Sequence, residues 1–268
     1  MIIFSMQKKI LVLASTFPVN DSDNVPNFVK DQIIEFKNIN QSMEFIIIAP
    51  SVKNQNPQKN NNFTHLRYRY FFRKMERLTE KGILPTIKNN PVYVFLIPLF
   101  IISQIFFTIK IVKRNKPHHI YAHWVTPQAI TALIVKKLYN IPFSFSSHAH
   151  DAEILTKLPI VGKYLLNSIV KNSYKFTFDS INTESKLKKH ISNKNWDQNK
   201  SLVLPMGVNN KAFDNINSVE INQFKKTENI KIGFVGRFAE KKGVEILIEA
   251  FTKLSELNYP IELILCGM

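Results

Sequence analysis

Between residues 236 and 243 the sequence reads GRFAEKKG, with IKIGFV before it and VEILIEAFTKL after it. The first flank is an apolar run of strand type, and the second repeats apolar residues three and four apart, so the basic segment falls at a strand-to-helix turn. Such a turn leaves the first backbone N–H groups of the helix unpaired at the positive end of its dipole, which suits phosphate. Gly236 lets the backbone turn tightly, Arg237 adds a planar fork of donors, and Lys242 adds a point charge; the two cations can neutralise a diphosphate. The spacing is not that of a Walker loop, which needs a terminal Lys-Ser/Thr, nor that of the dinucleotide GxGxxG. A solvated basic loop remains the other reading of this segment taken alone.

A second group lies in SSHAHDAEIL, residues 146 to 155. His148, His150 and Asp151 directly follow a strand pattern, which puts them at a strand's C-terminal end, where α/β sheets collect ligands. They lack the i, i+4 spacing of helical zinc ligands. Asp151 also suits a helix cap, and a cap and a ligand contact are compatible. His123 and Trp124 close another strand pattern and are neighbours of the same edge, as structural or ligand-facing groups. PMGVN at 205 to 209 is first of all a turn, with Gly207 free to take positive φ.

The elements that must position these residues alternate. Apolar runs of strand type recur at 9–15, 44–50, 119–124, 143–148, 175–180, 201–207, 230–236 and 261–267, with helical spacing in NFVKDQIIEFKNI, PQAITALIVKKLYN and TESKLKKHIS between them. Strand and helix in alternation predict an α/β fold with a parallel sheet covered on both faces. The polar stretch 213–229 reads as a linker, dividing a first domain, 1–212, from the start of a second, 230–268, which one βαβ unit cannot complete. SVKNQNPQKNNNF reads as a surface loop.

With 268 residues, 45% of them hydrophobic, the chain is long enough for a sizeable core. One cysteine, Cys266, excludes an internal disulfide framework and a structural zinc ribbon and fits a reducing cytoplasm. The N-terminus has no basic region ahead of its apolar run, so it reads as a first strand and not as a signal sequence. A net charge of +16 favours an anionic partner, either phosphate, nucleic acid or an acidic membrane surface, or else reflects drift in base composition. Residues 91–112 are apolar for the length of a membrane span but contain Pro98, Gln104 and Lys110 and lead into another strand, which favours a buried or surface-lying helix. Ahead of them HLRYRYFFRKMERL interleaves arginine with aromatics, which suits anionic headgroups, stacked bases or an edge strand.

Five stretches in order, TFP with NFVKDQI, AHW, HAHD, VLPMGVN and VGRFAEKKGVEILIEAF, resemble the retaining nucleotide-sugar-dependent glycosyltransferases of GT-B fold, family 4. The resemblance covers almost the whole chain. It implies an N-terminal Rossmann-like doubly wound sheet on the acceptor side and the start of a second Rossmann-like domain on the donor side. It implies that Gly236, Arg237 and Lys242 bind the donor diphosphate without a metal or other cofactor and face a gap opposite His148. His148 then supports the reaction centre, and Asp151, His123 and Asn27 line the acceptor side. Two departures stand out: Asn27 where many members have glycine, and Pro205-Met206-Gly207 where the family has Pro-Asn-Gly. The family's glutamate pair and most of its nucleotide pocket fall beyond Met268, so the chain reads as C-terminally truncated. The implied partners are a nucleotide-sugar donor and a glycan or lipid-linked acceptor of surface polysaccharide synthesis; the basic surface and the apolar 91–112 segment would hold the chain at the inner membrane face, and no nucleic-acid partner is expected. A truncated remnant that binds acceptor or a partner chain without transferring sugar is the alternative.

Overall fold

The computed structural model describes residues 8–20, 27–52, 60–80, 82–148, 151–158, 160–207, 229–236 and 238–267. The chain divides into two units, Met1–Val208 and Asn209–Met268. In the first, β1 (Lys8–Leu13), α1 (Phe28–Ile39), β2 (Met43–Pro50) and β3 (Phe63–Tyr68) are followed by α2 (Ile83–Asn89) and α3 (Leu96–Asn115). Then come β4 (His119–His123), α4 (Ile130–Tyr139), β5 (Phe143–Ser147), α5 (Glu153–Thr156), α6 (Val161–Asn172), β6 (Phe176–Phe178), α7 (Ile181–Lys188) and β7 (Ser201–Val203). The strands form a seven-stranded sheet in the order β3-β2-β1-β4-β5-β6-β7, and every neighbouring pair is parallel.

Residue alternation decides which face each strand buries. Leu11, Leu13, Ile46 and Ile48 turn to one face, where they join Phe145 and Phe176 in the larger core cluster with residues of α3, α4 and α6. Val12, Phe45 and Ile47 turn to the other face, against Val29 and Ile33 of α1. Helices therefore cover both faces, as the strand and helix alternation predicts. β6 and β7 are shorter than their apolar runs, at three residues each. Leu204 still donates to the Phe178 carbonyl at 2.8 Å before the chain leaves the sheet.

The two segments that suited a membrane or a nucleic acid resolve differently. HLRY, residues 65 to 68, closes the edge strand β3, and its arginine turns back on the protein: Arg67 donates to the carbonyls of Pro50 and Phe17 at 2.6 and 2.5 Å. Tyr68 and Tyr70 are buried against Phe100 of α3. These rings are core, unavailable for stacking on bases. The apolar segment 91–112 becomes a 3₁₀ turn, Pro91–Phe95, and α3, which lies against the sheet through one stripe that includes Phe100, Gln104 and Thr108. Gln104 accepts from the Tyr68 hydroxyl at 3.2 Å, which accounts for an amide inside so apolar a helix.

In the second unit β8 (Ile230–Val235) and β9 (Ile261–Cys266) pair in parallel, with α8 (Val244–Glu256) between them in sequence. Apart from Asn229, the linker expected at 213–229 lies outside the described residues.

One buried charge holds the end of β3. Glu76 is fully buried, and its Oε1 accepts from the amides of Tyr70 and Phe71 at 2.9 and 3.3 Å and from Arg69 Nε at 3.3 Å. Removing it strands two amides, each worth about 1–3 kcal/mol, and takes one partner from Arg69, which keeps its bond to the Phe71 carbonyl. Glu76→Ala is expected to lower stability by about 2–4 kcal/mol, measured as a fall in the urea midpoint followed by tryptophan fluorescence. Both tryptophans, Trp124 and Trp196, lie in the first unit, so the signal reports that unit.

Candidate active site

The strand order reverses between β1 and β4, and an open parallel sheet splits its loops apart at such a point, leaving a crevice at the carboxyl ends of the strands. Gln128, buried in the turn after β4, donates from Nε2 to Ser15 Oγ, just beyond β1, at 2.6 Å. That bond ties the two loops across the reversal.

His123 ends β4 and His148 follows β5, and the two imidazoles stack with centroids 5.9 Å apart and planes 8° from parallel. Phe28, the first residue of α1, places its ring 6.1 Å from His123 and 5.2 Å from His148, and Trp124 lies 5.5 Å from His148. Both nitrogens of His123, Nε2 of His148 and Oε1 of Gln128 are buried without a hydrogen-bond partner. Buried polar atoms are normally paired, so several unpaired ones at a strand edge of the kind where α/β sheets collect ligands make this edge the candidate site. Trp124 has φ +81°, strained for a bulky residue at a cost of about 1–3 kcal/mol; its N–H donates to the Ser146 carbonyl at 2.8 Å, which holds it in place.

Asp151 positions this group. Its Oδ2 accepts from the amides of Val125 at 2.8 Å and His148 at 3.2 Å, and its Oδ1 accepts from Ser147 Oγ at 2.7 Å. The donors include the turn after β4 as well as its own loop, so the carboxylate clamps the β4 and β5 loops together, a wider role than the helix cap expected from sequence. Burial raises its pKa to about 6 against the pull of those hydrogen bonds. Burial lowers His148 to about 4 although Asp179, at the end of β6, pulls upward, and burial with His148 alongside lowers His123 to about 3. At neutral pH both imidazoles are uncharged, each with one donor and one acceptor to offer.

Asn27 precedes α1 and is exposed; its carbonyl accepts from Asp31 at 2.9 Å, its side chain makes no cap bond, and the ring that meets the imidazoles is that of Phe28. His150 and Arg237 lie outside the described residues. Among the described residues no group of three His, Cys, Asp or Glu side chains is arranged to hold a metal ion.

In the second unit the Gly236 amide donates to the Cys266 carbonyl at 2.9 Å, and a Cβ on Gly267 would collide with the Gly236 carbonyl, so the two strand ends meet through glycine. Gly243 takes φ +68° and opens α8 without a side-chain cap, leaving first-turn amides free, and the exposed Lys242 stands just before it.

Residues 216–268 match the family model described as glycosyl transferases group 1. The chain is 30% identical over 145 residues to an uncharacterized glycosyltransferase of Methanocaldococcus jannaschii, an alignment that covers 54% of this chain and 36% of the relative. Among solved structures, a trehalose-6-phosphate synthase superposes with TM-score 0.65 at 13% identity, covering 97% of this chain and 65% of that one. A UDP-forming α,α-trehalose-phosphate synthase from Burkholderia xenovorans gives 0.62 at 13%, covering 98% and 64%. A putative UDP-N-acetylglucosamine 2-epimerase from Listeria monocytogenes gives 0.51 at 9%, covering 97% and 62%.

The fold is α/β and similar to that of the GT-B glycosyltransferases such as trehalose-6-phosphate synthase. The chain spans about a third of the curated relative's length and just under two thirds of these solved structures. Because an epimerase shares the fold, the architecture alone does not select the reaction.

Sequence reasoning placed His123, His148 and Asp151 at strand ends, and the structure brings all three together. It missed Phe28, Ser15 and Gln128 as neighbours of the site; only the apolar residue at the start of α1, directly after Asn27, signalled the first. The histidines give the fold a pH signature. Folded His148 and His123 take a proton near pH 4 and 3, whereas an unfolded histidine does so near 6.5, so their stabilisation is complete above 6.5 and lost as pH falls toward 4. Asp151 runs the other way: protonated near pH 6 when folded but only near 3.8 when unfolded, it favours the fold as pH falls from 6 to 4. His65, lowered by burial to about 3, acts with them, and three histidines outweigh one aspartate, so the urea midpoint is expected to fall on acidification from pH 6.5 to 4.5. His123→Phe, which keeps a ring, is expected to flatten that slope by up to about 1.4 kcal/mol per pH unit.

Proposed function

We propose that the chain is the acceptor-side domain and the beginning of the donor-side domain of a nucleotide-sugar-dependent glycosyltransferase, working with retention in the manner of family 4. In this reading it moves a sugar onto a glycan or lipid-linked acceptor in the synthesis of surface polysaccharide. The observation that carries it is that the glycosyl transferases group 1 match falls on the segment containing the basic turn Gly236–Gly243. The orphaned nitrogens at the β4 and β5 ends of the first unit add support. A cytoplasmic location suits a chain with a single cysteine.

Glycosyl transfer breaks the bond between the anomeric carbon and the donor phosphate through an oxocarbenium-like state, while negative charge grows on the departing diphosphate. Lys242, Arg237 and the free amides opening α8 are the groups that hold that charge, and no metal ion is assigned to the task. His148 hydrogen-bonds as a neutral imidazole to a sugar hydroxyl near the reacting carbon. His123 backs it, and Asp151 fixes the loop from which it projects.

The test is transfer from, or hydrolysis of, radiolabelled UDP- and GDP-sugars, with binding of UDP and GDP measured in parallel. Lys242→Ala is expected to weaken diphosphate binding about tenfold, the loss of one charge-assisted contact. Where transfer is detected, His148→Ala is expected to lower kcat by about a hundredfold or more with donor affinity nearly unchanged. A chain that neither transfers nor hydrolyses these donors, and whose affinity for UDP and GDP ignores Lys242, contradicts the reading.

A further inference from the structure

Val92, Phe95, Leu99, Ile102 and Phe106 follow one another at alternating spacings of three and four, one stripe along the 3₁₀ turn and α3. All five are exposed, Phe95 by 79% and Phe106 by 69%, on the side of the helix away from Phe100, Gln104 and Thr108. A contiguous apolar stripe of this kind on a soluble surface marks an interaction site. The stripe continues at the same spacing into Lys110 and Lys113, both exposed, with Arg114 beside them. Lys88 stands exposed in α2, which packs against the turn at the other end.

Charge decides what covers this face. Between Glu80 and Asp151 the sequence contains no acidic residue, and every charged side chain in between is lysine or arginine. Pairing with a second copy would set the Lys110, Lys113 and Arg114 cluster against another cationic or apolar segment of the same acid-free region, with no carboxylate to answer it. An anionic bilayer supplies both halves of the match: acyl chains for the phenylalanines and headgroup phosphates for flanking lysines, whose long stems reach back to the interface. We infer that the outer face of α3 docks on an anionic lipid surface, with the helix lying in the plane of the membrane.

The orientation has a consequence for the first unit. α3 connects two parallel strands, β3 and β4, so it runs from the C-terminal edge of the sheet to the N-terminal edge, where the His118 amide donates to the Lys9 carbonyl at 2.9 Å. The Phe95 end therefore lies toward the edge that carries His123 and His148, and a docked chain would hold that edge near the headgroups, within reach of a lipid-linked molecule.

Docking needs neither donor nor acceptor, so it can fail while the transfer reading stands, and the reverse. The test is co-sedimentation of the full 268-residue chain with sucrose-loaded vesicles of phosphatidylcholine, with and without phosphatidylglycerol. Wild type is expected to partition strongly only onto the anionic vesicles. Phe95→Asp with Phe106→Asp is expected to reduce partition more than about tenfold, and Lys110→Glu with Lys113→Glu severalfold. An unchanged tryptophan-detected urea midpoint in each variant separates loss of docking from loss of fold. Equal partition of wild type and variants overturns the inference, as does a wild-type dimer that the Phe95 and Phe106 substitutions split without any change in vesicle binding.

Discussion

Leaving a buried ring nitrogen without a partner costs about 1–3 kcal/mol, and the first unit does this three times at one strand edge, at both nitrogens of His123 and at Nε2 of His148. The same desolvation that leaves them unpaired keeps both rings uncharged at neutral pH, because a buried imidazolium is costlier still. Much of the surrounding structure serves to hold that arrangement. Asp151 ties the backbone after β4 to the backbone after β5, Gln128 ties the same turn to the loop after β1, and Phe28 and Trp124 pack their rings around the imidazoles. Trp124 keeps its strained backbone within this packing, held by the bond from its amide to the Ser146 carbonyl.

How the sheet is wound explains why the site could be located from sequence and why its details could not. Alternating strand and helix patterns make every strand parallel, so each strand's last residue lands on one edge, and His123, His148 and Asp151 were legible as neighbours on that ground alone. The bond from Gln128 to Ser15 joins residues far apart in the chain and depends on which strands sit side by side at the reversal, something no local pattern encodes. The arginines of HLRYRY looked outward because arginine usually does. Arg67 instead finds two backbone carbonyls, and Arg69 finds the carboxylate of Glu76, a buried acid hidden in a segment whose composition reads as surface.

α3 illustrates the same limit from another side. Its apolar content is high enough and its length sufficient to cross a bilayer. The pairing of Gln104 with Tyr68 shows instead that one face belongs to the protein core, and the opposite face remains apolar for a reason the core does not supply. Periodicity in so hydrophobic a helix is weak, so the division into an inner and an outer face emerges only once β3 is in place beneath it.

A fold shared by synthases and an epimerase leaves the chemistry to the site, and in the first unit the site stands or falls with the neutrality of the two rings. Nitrogen chemical shifts of the histidine rings, followed by NMR in the folded chain from pH 7.5 downward, test this most directly. The account predicts that His123 and His148 keep neutral-ring shifts through pH 5 and begin to protonate only near pH 4 or below, or as the fold gives way. Either ring titrating near 6.5 in the folded protein would mean that it is solvated, and the pre-arranged pair described here would not exist.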